Sequence, residues 1–467
     1  MSTRIQEKLT QAAALVVLLA VALAAALGAA LLDSRPAAAQ AYDARSLAMG
    51  GIVVSDVTGS SALNVAYRAV PRYSGALGYN VIPLPLGVIQ TLANPPEFDS
   101  SNPNFNVFEI ANMVAISPTT IQLIEPEPIS DDVIVDIGQD ALAIDLGSLQ
   151  SLFPNDDIKY GLVMNGPNLE FGTSNVFFGV HPQVEAKNSL ALDEALQGAL
   201  GEGEPFVPNT SYGAADDARA QAAFAITAGG ALPVMPPRDA PDGDPRRGGK
   251  AVYVGARVKY LRGIALWQAT SAGQFTTGDT ILGPSTPLRF DYVSEVRQTQ
   301  DPGFDAGQGF GVDAGVAFFV NKFEIGLGVR DIGTQIRWSN TKLDRYTYDP
   351  NTNSNVQTRL ETGTDYVVKF PVTGAFNLTW RNEGLTVGGT LERTTNERWI
   401  PRAGAEAWFG PAPVRGGLVL DTYRLLQVSA GTGLRLGRIG LDVALATHSR
   451  GLTRARGLEM GASIALY

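Results

Sequence analysis

Few of the side chains that usually carry chemistry are present. The chain has no cysteine and two histidines, His181 and His448. Without cysteine there is no thiolate nucleophile, no Cys-ligated zinc and no iron–sulfur cluster. A Ser/His/Asp arrangement would have to use one of the two histidines, and neither lies in a nucleophile motif. His448, beside Ser449 and Arg450, reads as a loop histidine at a strand end. Gly307-x-Gly309-x-Gly311 has the look of a nucleotide loop but sits inside a strand run, not at a strand-to-helix turn. Asp131-Asp132 and Asp156-Asp157 could hold calcium in a surface loop, although adjacent loop carboxylates are ordinarily just solvated. Asn209-Thr-Ser211 and Asn377-Leu-Thr379 fit a glycosylation pattern that is common by chance. No enzyme chemistry, cofactor or metal is expected. What remains is a set of charged residues whose alternation puts them on one strand face: Glu392, Glu406, Arg415, Arg435 and Asp442. They could line a polar path, or pair across an interior to stiffen it, the usual case where side chains fill a barrel.

The elements that would position them are strands. From about Gly249 onward the pattern has period two. Ile439, Leu441, Val443 and Leu445 oppose Arg438, Gly440, Asp442 and Ala444, and Leu458 to Leu466 alternate with Gly457 to Ala465. Each segment is about 10 residues long, which is what a tilted strand needs to cross a hydrocarbon layer. Short turns at Asn321-Lys322, Arg381-Asn382-Glu383-Gly384 and Gly437-Arg438 make neighbours antiparallel. About eleven strands follow Gly249. Three more fall near Ser74–Val81, Asn168–Val180 and Arg219–Ala231. In lipid every backbone N–H and C=O must be satisfied within the protein, so such strands must close into a ring. Trp338, Trp380, Trp399 and Trp408 sit at or near strand ends, where an interfacial girdle would place them.

Composition agrees. Of 467 residues 51 are Gly and only 18% are charged, against about 25% in soluble globular proteins. The formal charge of −10, with no basic run, excludes a nucleic-acid partner. At the N-terminus, Arg4 and Lys8 precede an uncharged stretch from Gln11 to Leu32, and Ala37-Ala38-Ala39 follows. These are the parts of a signal peptide cut after Ala39, with a retained anchor as the alternative. No later run is long and apolar enough for a transmembrane helix. The chain is therefore expected to be exported.

The first half is less regular. Ile134–Phe153 and Ser189–Leu200 read as helical, the latter with Ser189 as N-cap and Gly201 as its end. Such a helical insert could plug a lumen, cover one mouth or pack outside. Residues 232–249, with five prolines, read as a long loop.

Several segments carry a family resemblance. Tyr42-Asp-Ala-Arg-Ser-Leu-Ala-Met-Gly-Gly51 resembles the mature N-terminus of the long-chain fatty acid transporter (FadL-like) superfamily of outer-membrane barrels. That branch includes the TraF-like and PorV-like proteins. Gly309-Phe-Gly-Val-Asp-Ala-Gly315, Gly328-Val-Arg-Asp-Ile-Gly333, Lys369-Phe-Pro-Val-Thr-Gly374 and Pro401-Arg-Ala-Gly-Ala-Glu-Ala-Trp408 with Val414-Arg-Gly-Gly-Leu418 follow in the family's order. The resemblance implies a fourteen-stranded barrel with an N-terminal hatch folded into the lumen. Its motif residues here are Arg45, Met49, Gly50, Gly51 and Asn64. The family's Asn-Pro-Ala reads Asn64-Val65-Ala66, and Tyr467 is one residue out of phase with the apolar face of Ile464 and Leu466.

The fold expected is all-β: a transmembrane antiparallel β-barrel of about 14 strands with an N-terminal lumenal segment and a small helical insert. The organisation expected is a signal peptide (1–39), the hatch and first strands (40–93), an irregular or helical insert with a few strands (94–248) and the main run of barrel strands (249–467). Its partners would be outer-membrane lipid, the barrel-insertion machinery, and a hydrophobic small molecule or an exported protein. The function expected is passive passage of hydrophobic small molecules across the outer membrane. The alternative is a non-transporting barrel acting in secretion or surface assembly.

Overall fold

The computed structural model describes residues 43–56, 60–71, 80–86, 120–124, 134–137, 142–145, 158–165, 169–173, 175–201, 204–279, 289–349, 354–395, 399–420, 426–437, 439–449 and 456–466, with a few isolated positions. The expected signal peptide and the two Asp-Asp pairs lie outside the described residues. Among the described residues no helix is long and apolar enough to cross a membrane.

Among the described residues twenty strands follow in chain order: β1 Asn80–Pro83, β2 Thr120–Ile124, β3 Ile134–Ile137, β4 Leu142–Asp145, β5 Ile158–Asn165, β6 Leu169–Gly172, β7 Val176–Leu192, β8 Ser211–Arg238, β9 Lys250–Thr276 and β10 Arg289–Thr299. Then come β11 Gly307–Val320, β12 Phe323–Asp349, β13 Ser354–Lys369, β14 Thr373–Asn382, β15 Leu385–Thr394, β16 Ile400–Phe409, β17 Ala412–Leu420, β18 Leu426–Leu436, β19 Ile439–Ser449 and β20 Arg456–Leu466. β3 and β4 form a separate hairpin; the other eighteen make one antiparallel sheet. Successive segments share a position four times. β1 and β2 both pair with β20, and β5 and β6 with β7. β10 and β11 both fill the slot between β9 and β12, and β13 and β14 both pair with β12. The eighteen described segments therefore occupy fourteen positions.

The sheet wraps around its own N-terminal segment. Ala44 N–H donates to Ser463 Oγ on β20, and Val53 N–H to Thr390 Oγ1 on β15. Asn64 Nδ2 donates to Val316 O on β11, and the Arg68 guanidinium lies 4.5 Å from the Phe177 ring centroid on β7. A piece of chain this short can touch strands from β7 round to β20 only if the sheet curls about it.

The two faces of the strands are chemically distinct. Along β19, Ile439, Leu441, Val443 and Leu445 are 40–53% exposed, whereas Asp442 and Ala444 are buried. Phe318, Phe323, Leu327, Leu378, Val387, Leu418 and Val428 continue the exposed apolar row around the sheet. Among the described residues no second sheet covers these side chains, so the row faces the surroundings as a lipid-facing belt does. Val320 pairs with Phe323, Asn382 with Leu385 and Leu436 with Ile439, so all three tight turns lie at one end of the barrel. Asn321 (φ 56°) and Gly437 (φ 64°) supply the left-handed backbone two of them need. Short turns mark the periplasmic end of such barrels.

Several expectations are corrected. Ile134–Phe153 is not helical where described: Ile134–Ile137 pairs with Leu142–Asp145 as a hairpin. β-Branched Ile134, Val135 and Ile137 stiffen an extended backbone more readily than a helix. Ser189 is no N-cap, because β7 stays paired with β8 as far as Leu192. Asp193 takes that role, accepting Leu196 N–H at 2.8 Å, and the helix α3 spans Glu194–Gly201. It packs on Tyr212 and Phe206 at the far end of β8 and does not plug the lumen. The proline-rich loop at 232–249 is largely strand: β8 runs through Pro233, Pro236 and Pro237 to Arg238, with register shifts where the prolines lie. Strands are not uniformly short either. β8, β9 and β12 have 28, 27 and 27 residues. At about 3.3 Å per residue they far outreach an apolar band about 25 Å tall. Trp338 is no girdle residue but fully buried with Leu261, Ile336 and Val368, and Trp408 shares the inward face of Glu406.

Candidate functional site

The N-terminal segment is built from local signals. Asp43 starts the helix α1 (Ala44–Ala48) by accepting Ser46 N–H at 2.6 Å. Gly50 (φ 67°) and Gly51 (φ 68°) then reverse the chain in left-handed backbone that other residues resist. A second short helix, α2 (Ser60–Leu63), leads to Asn64. Asn64 Oδ1 accepts Ala66 N–H at 3.1 Å and so opens the 3-10 turn Val65–Arg68. Ala44, Leu47, Ala48, Met49, Ile52, Val53, Val54, Val65 and Ala66 are all buried.

Glycines on the inward strand faces make room for this backbone. A Cβ on Gly404 would lie 2.3 Å from Met49 O, on Gly417 2.2 Å from Gly50 N, and on Gly328 1.9 Å from Leu63 O. One on Gly255 would lie 2.7 Å from Ala66 N. Real Cβ contacts do not come this close, so the inner wall is a seat cut to the segment.

Charge fixes the segment in that seat. Arg45 is 1% exposed and lies 2.8 Å from Asp56 Oδ2. Its fork reaches Glu406 on β16, with Nε to Oε2 at 2.9 Å and Nη2 to Oε1 at 2.7 Å. Glu406 also accepts from Arg415 on β17 at 2.6 Å, and Arg415 from there donates to Asp442 on β19 at 2.5 Å. On the other side Asp56 accepts from Arg381 on β14 at 2.6 Å, and Arg381 donates to Glu324 on β12 at 3.0 Å. Ser55 donates to Glu324 through N–H and Oγ at 2.8 and 2.7 Å. The result is a buried ladder of alternating sign: Asp442, Arg415, Glu406, Arg45, Asp56, Arg381, Glu324. Burial alone would raise the Asp56 carboxyl, but Arg381 and then Arg45 hold it well below the usual carboxylate range. Asp43 has no such fork. Burial pushes its carboxyl up to about 6, with Ser46 N–H and Arg45 opposing.

The residues named from sequence fall as follows. Glu406, Arg415 and Asp442 join the ladder together with Arg45. Met49, Gly50 and Gly51 form the bend seated on β16 and β17. Asn64 holds the second turn to β11. Glu392 on β15 pairs with Arg402 at 3.3 Å, and Arg402 also reaches Gly50 O at 3.4 Å. Arg435 stands apart from the ladder near the tight-turn end, with Nε 3.3 Å from Gly437 O. His181 is buried on the inward face of β7, and His448 pairs with Gly457 across β19 and β20. Sequence reasoning missed Asp56, Arg381 and Glu324. Glu324 alternates with Gly326 and Gly328 and was legible as inward; Arg381 was read as turn, and Asp56 carries no periodic signal. It also missed a second buried group just above α2. There Asp313 on β11 accepts from Arg257 at 2.6 Å and lies 2.7 Å from Lys259, while Arg257 reaches Ala62 O at 3.4 Å. Among the described residues no His, Asp and Glu cluster could hold a metal ion.

No family model matches the chain, and no curated protein matches it. Among solved structures it is similar to the Ralstonia pickettii toluene transporter TbuX, with 15% identity, 63% of this chain and 78% of that one covered, and a TM-score of 0.31. It is also similar to the Pseudomonas putida toluene transporter TodX (10%, 67% and 90%, TM-score 0.24) and to a triple mutant of the Rhodopseudomonas blastica porin (10%, 62% and 99%, TM-score 0.20).

Proposed function

We propose that this chain is an outer-membrane barrel of FadL-like type and a passive channel for hydrophobic small molecules, with residues 40–71 as its hatch. A barrel with fourteen strand positions is wider than the eight-strand barrels that side chains fill unaided. The observation that carries the reading is that a buried N-terminal segment is seated on glycines of the inner wall, which leave room for its backbone. A second feature supports apolar cargo. Arg330 of β12 pairs with Thr373 and Gln335 with Lys369, and the regular pairing lapses between them around Pro371, where Phe370 N–H still donates to Thr334 O at 2.9 Å. Ile332 and Val372 lie exposed at this irregularity, and an apolar molecule could leave there into lipid. Glu392, Glu406, Arg415, Arg435 and Asp442 would line the lumen around the hatch. The test is uptake of 1-N-phenylnaphthylamine across a lipopolysaccharide-bearing outer membrane, with and without the barrel. Uptake should rise with the barrel and rise further when residues 40–71 are deleted. No increase in either case refutes a channel.

A second reading has its own observation. β8, β9, β10, β12 and β13 carry the sheet well beyond the apolar band, and residues 354–360 of β13 are exposed on both faces. Such an extension suits a barrel of the TraF-like or PorV-like kind that binds exported proteins. Crosslinking from Val356 should then recover an exported chain.

A further inference from the structure

We infer that the hatch is a detachable electrostatic latch, built to part at two contacts, Arg45–Glu406 and Asp56–Arg381. This rests on the channel reading for its consequence but on the ladder for its argument. Splitting a buried network usually strands a charge, and an unpaired buried charge is heavily penalised. This ladder divides so that no member is left alone, although the Glu406–Arg415–Asp442 group then carries one net negative charge. If the segment withdraws, Arg45 keeps Asp56, bound through Oδ2 at 2.8 Å and the backbone O at 3.0 Å. On the wall Arg415 keeps both Glu406 and Asp442. Arg381 keeps Glu324. Every member retains an opposite partner on its own side.

The rest of the interface has the same character. The wall offers Gly404 and Gly417 to the bend after α1, so contact there is largely with Met49 and Gly50 backbone, while Leu47 and Ala48 pack on the small side chains of Ala444 and Ala446. The Ser60–Val70 half is held differently. Asn377 donates to Tyr67 Oη at 2.6 Å, Asn64 to Val316 O at 3.0 Å, and Tyr67 packs with Tyr253 and Phe319. Both ionic contacts to the wall lie on the α1 half, whose apolar partners on the wall are the small Ala444 and Ala446, whereas the Ser60–Val70 half packs on the aromatic Tyr253 and Phe319. The latch therefore opens first at α1, on the β16–β19 side of the barrel.

The test uses the full mature chain in lipid vesicles. The protein has no native cysteine, so Ala48→Cys, at a fully buried position of α1, reports release by its rate of labelling with a membrane-impermeant maleimide. Glu406→Gln with Asp56→Asn should raise that rate at least tenfold, and Arg381→Gln should do so in part. Heat-modifiable mobility on a gel confirms that each barrel is folded; a variant that fails this check is replaced by Arg45→Gln. Unchanged labelling in the folded variants overturns the latch. Single-channel conductance of the same proteins, alongside the 40–71 deletion, separates the two claims. A deletion that conducts while the charge variants stay shut and unlabelled refutes the latch alone. Variants that label quickly beside a deletion that does not conduct support the latch and refute the channel.

Discussion

Gly417→Ala is the sharpest perturbation of the seat. A methyl group there would lie 2.2 Å from Gly50 N, 2.4 Å from Met49 C and 2.6 Å from Ser429 Oγ. Two of these neighbours are backbone and cannot rotate away. To regain an ordinary contact of about 3.4 Å the bend must retreat by roughly 1 Å. Ser429 Oγ, which donates to Ala48 O at 3.0 Å, is pushed as well. Overpacking of this kind costs about 1–3 kcal/mol, and a strained hydrogen bond adds about 1 kcal/mol. Docking should therefore weaken by about 2–4 kcal/mol, a factor of roughly 30 to 1,000. Trypsin reads this directly, since Arg45 is buried only while the segment is seated. Cleavage after Arg45 in micelles, followed by mass spectrometry, should accelerate accordingly. The control is the next residue. Gly416→Ala lies on the opposite face, where the nearest atom is Ser429 O at 3.9 Å, and it should leave cleavage unchanged. Equal rates for the two variants, or a wild-type rate for Gly417→Ala, would refute the idea that the wall is shaped to the segment.

Two further outcomes follow from the same geometry. The Asp43 carboxyl sits at about 6 when docked and near its ordinary 3.8 when released, so the docked state holds the proton more tightly. Docking should strengthen as pH falls from about 7 to 4, by up to about 3 kcal/mol, with no further gain below the released value. Amide exchange of residues 43–54, corrected for intrinsic rates, should slow over that window, and Asp43→Asn should abolish the dependence. On the outer face, Val443→Arg places a cation in the apolar belt, where a midplane Arg costs about 2–4 kcal/mol. Urea titration in bilayers should show that loss, and Val443→Leu should not; equal midpoints would mean that this face does not meet lipid.

The strands after β13 were legible because one chemical rule acts on each face. Lipid favours apolar side chains on one face of β17 to β19, such as Val414, Leu418, Val428, Leu434, Leu441 and Val443, and the other face is free to be small or charged. The tight turns were legible for the same local reason, since Asn321, Gly384 and Gly437 supply positive φ. The first half was not. In β8 the prolines sit at register shifts and the strand outruns the membrane, so neither composition nor length betrays it. α3 begins at Asp193 only because pairing with β8 holds Ser189 extended, a tertiary effect that no capping pattern contains. Trp338 reads as a strand end, but β12 continues to Asp349, so Trp338 lies mid-strand on the inward face it shares with Ile336. Of the ladder, the wall residues with regular neighbours could be read as inward. Asp56 could not, because its role exists only once Arg45 and the sequence-distant Arg381 of β14 meet it.

Why the seat uses charge as well as apolar contact follows from what each can specify. Met49, Ile52, Val53 and Val54 supply the burial that favours docking, but apolar contact against glycine backbone tolerates sliding. A slip of one residue along α1 moves a side chain by 1.5 Å and turns it by about 100°. Arg45 would then lose both arms of its fork on Glu406, whose two oxygens it meets at 2.7 and 2.9 Å. Bidentate geometry penalises that slip far more than an ammonium would, so Arg45 sets the register in which Gly50 meets Gly417. Arg45→Lys should keep the segment in the lumen yet loosen its register, and this separates a fork from a mere positive charge. Its trypsin cleavage should fall between wild type and Gly417→Ala.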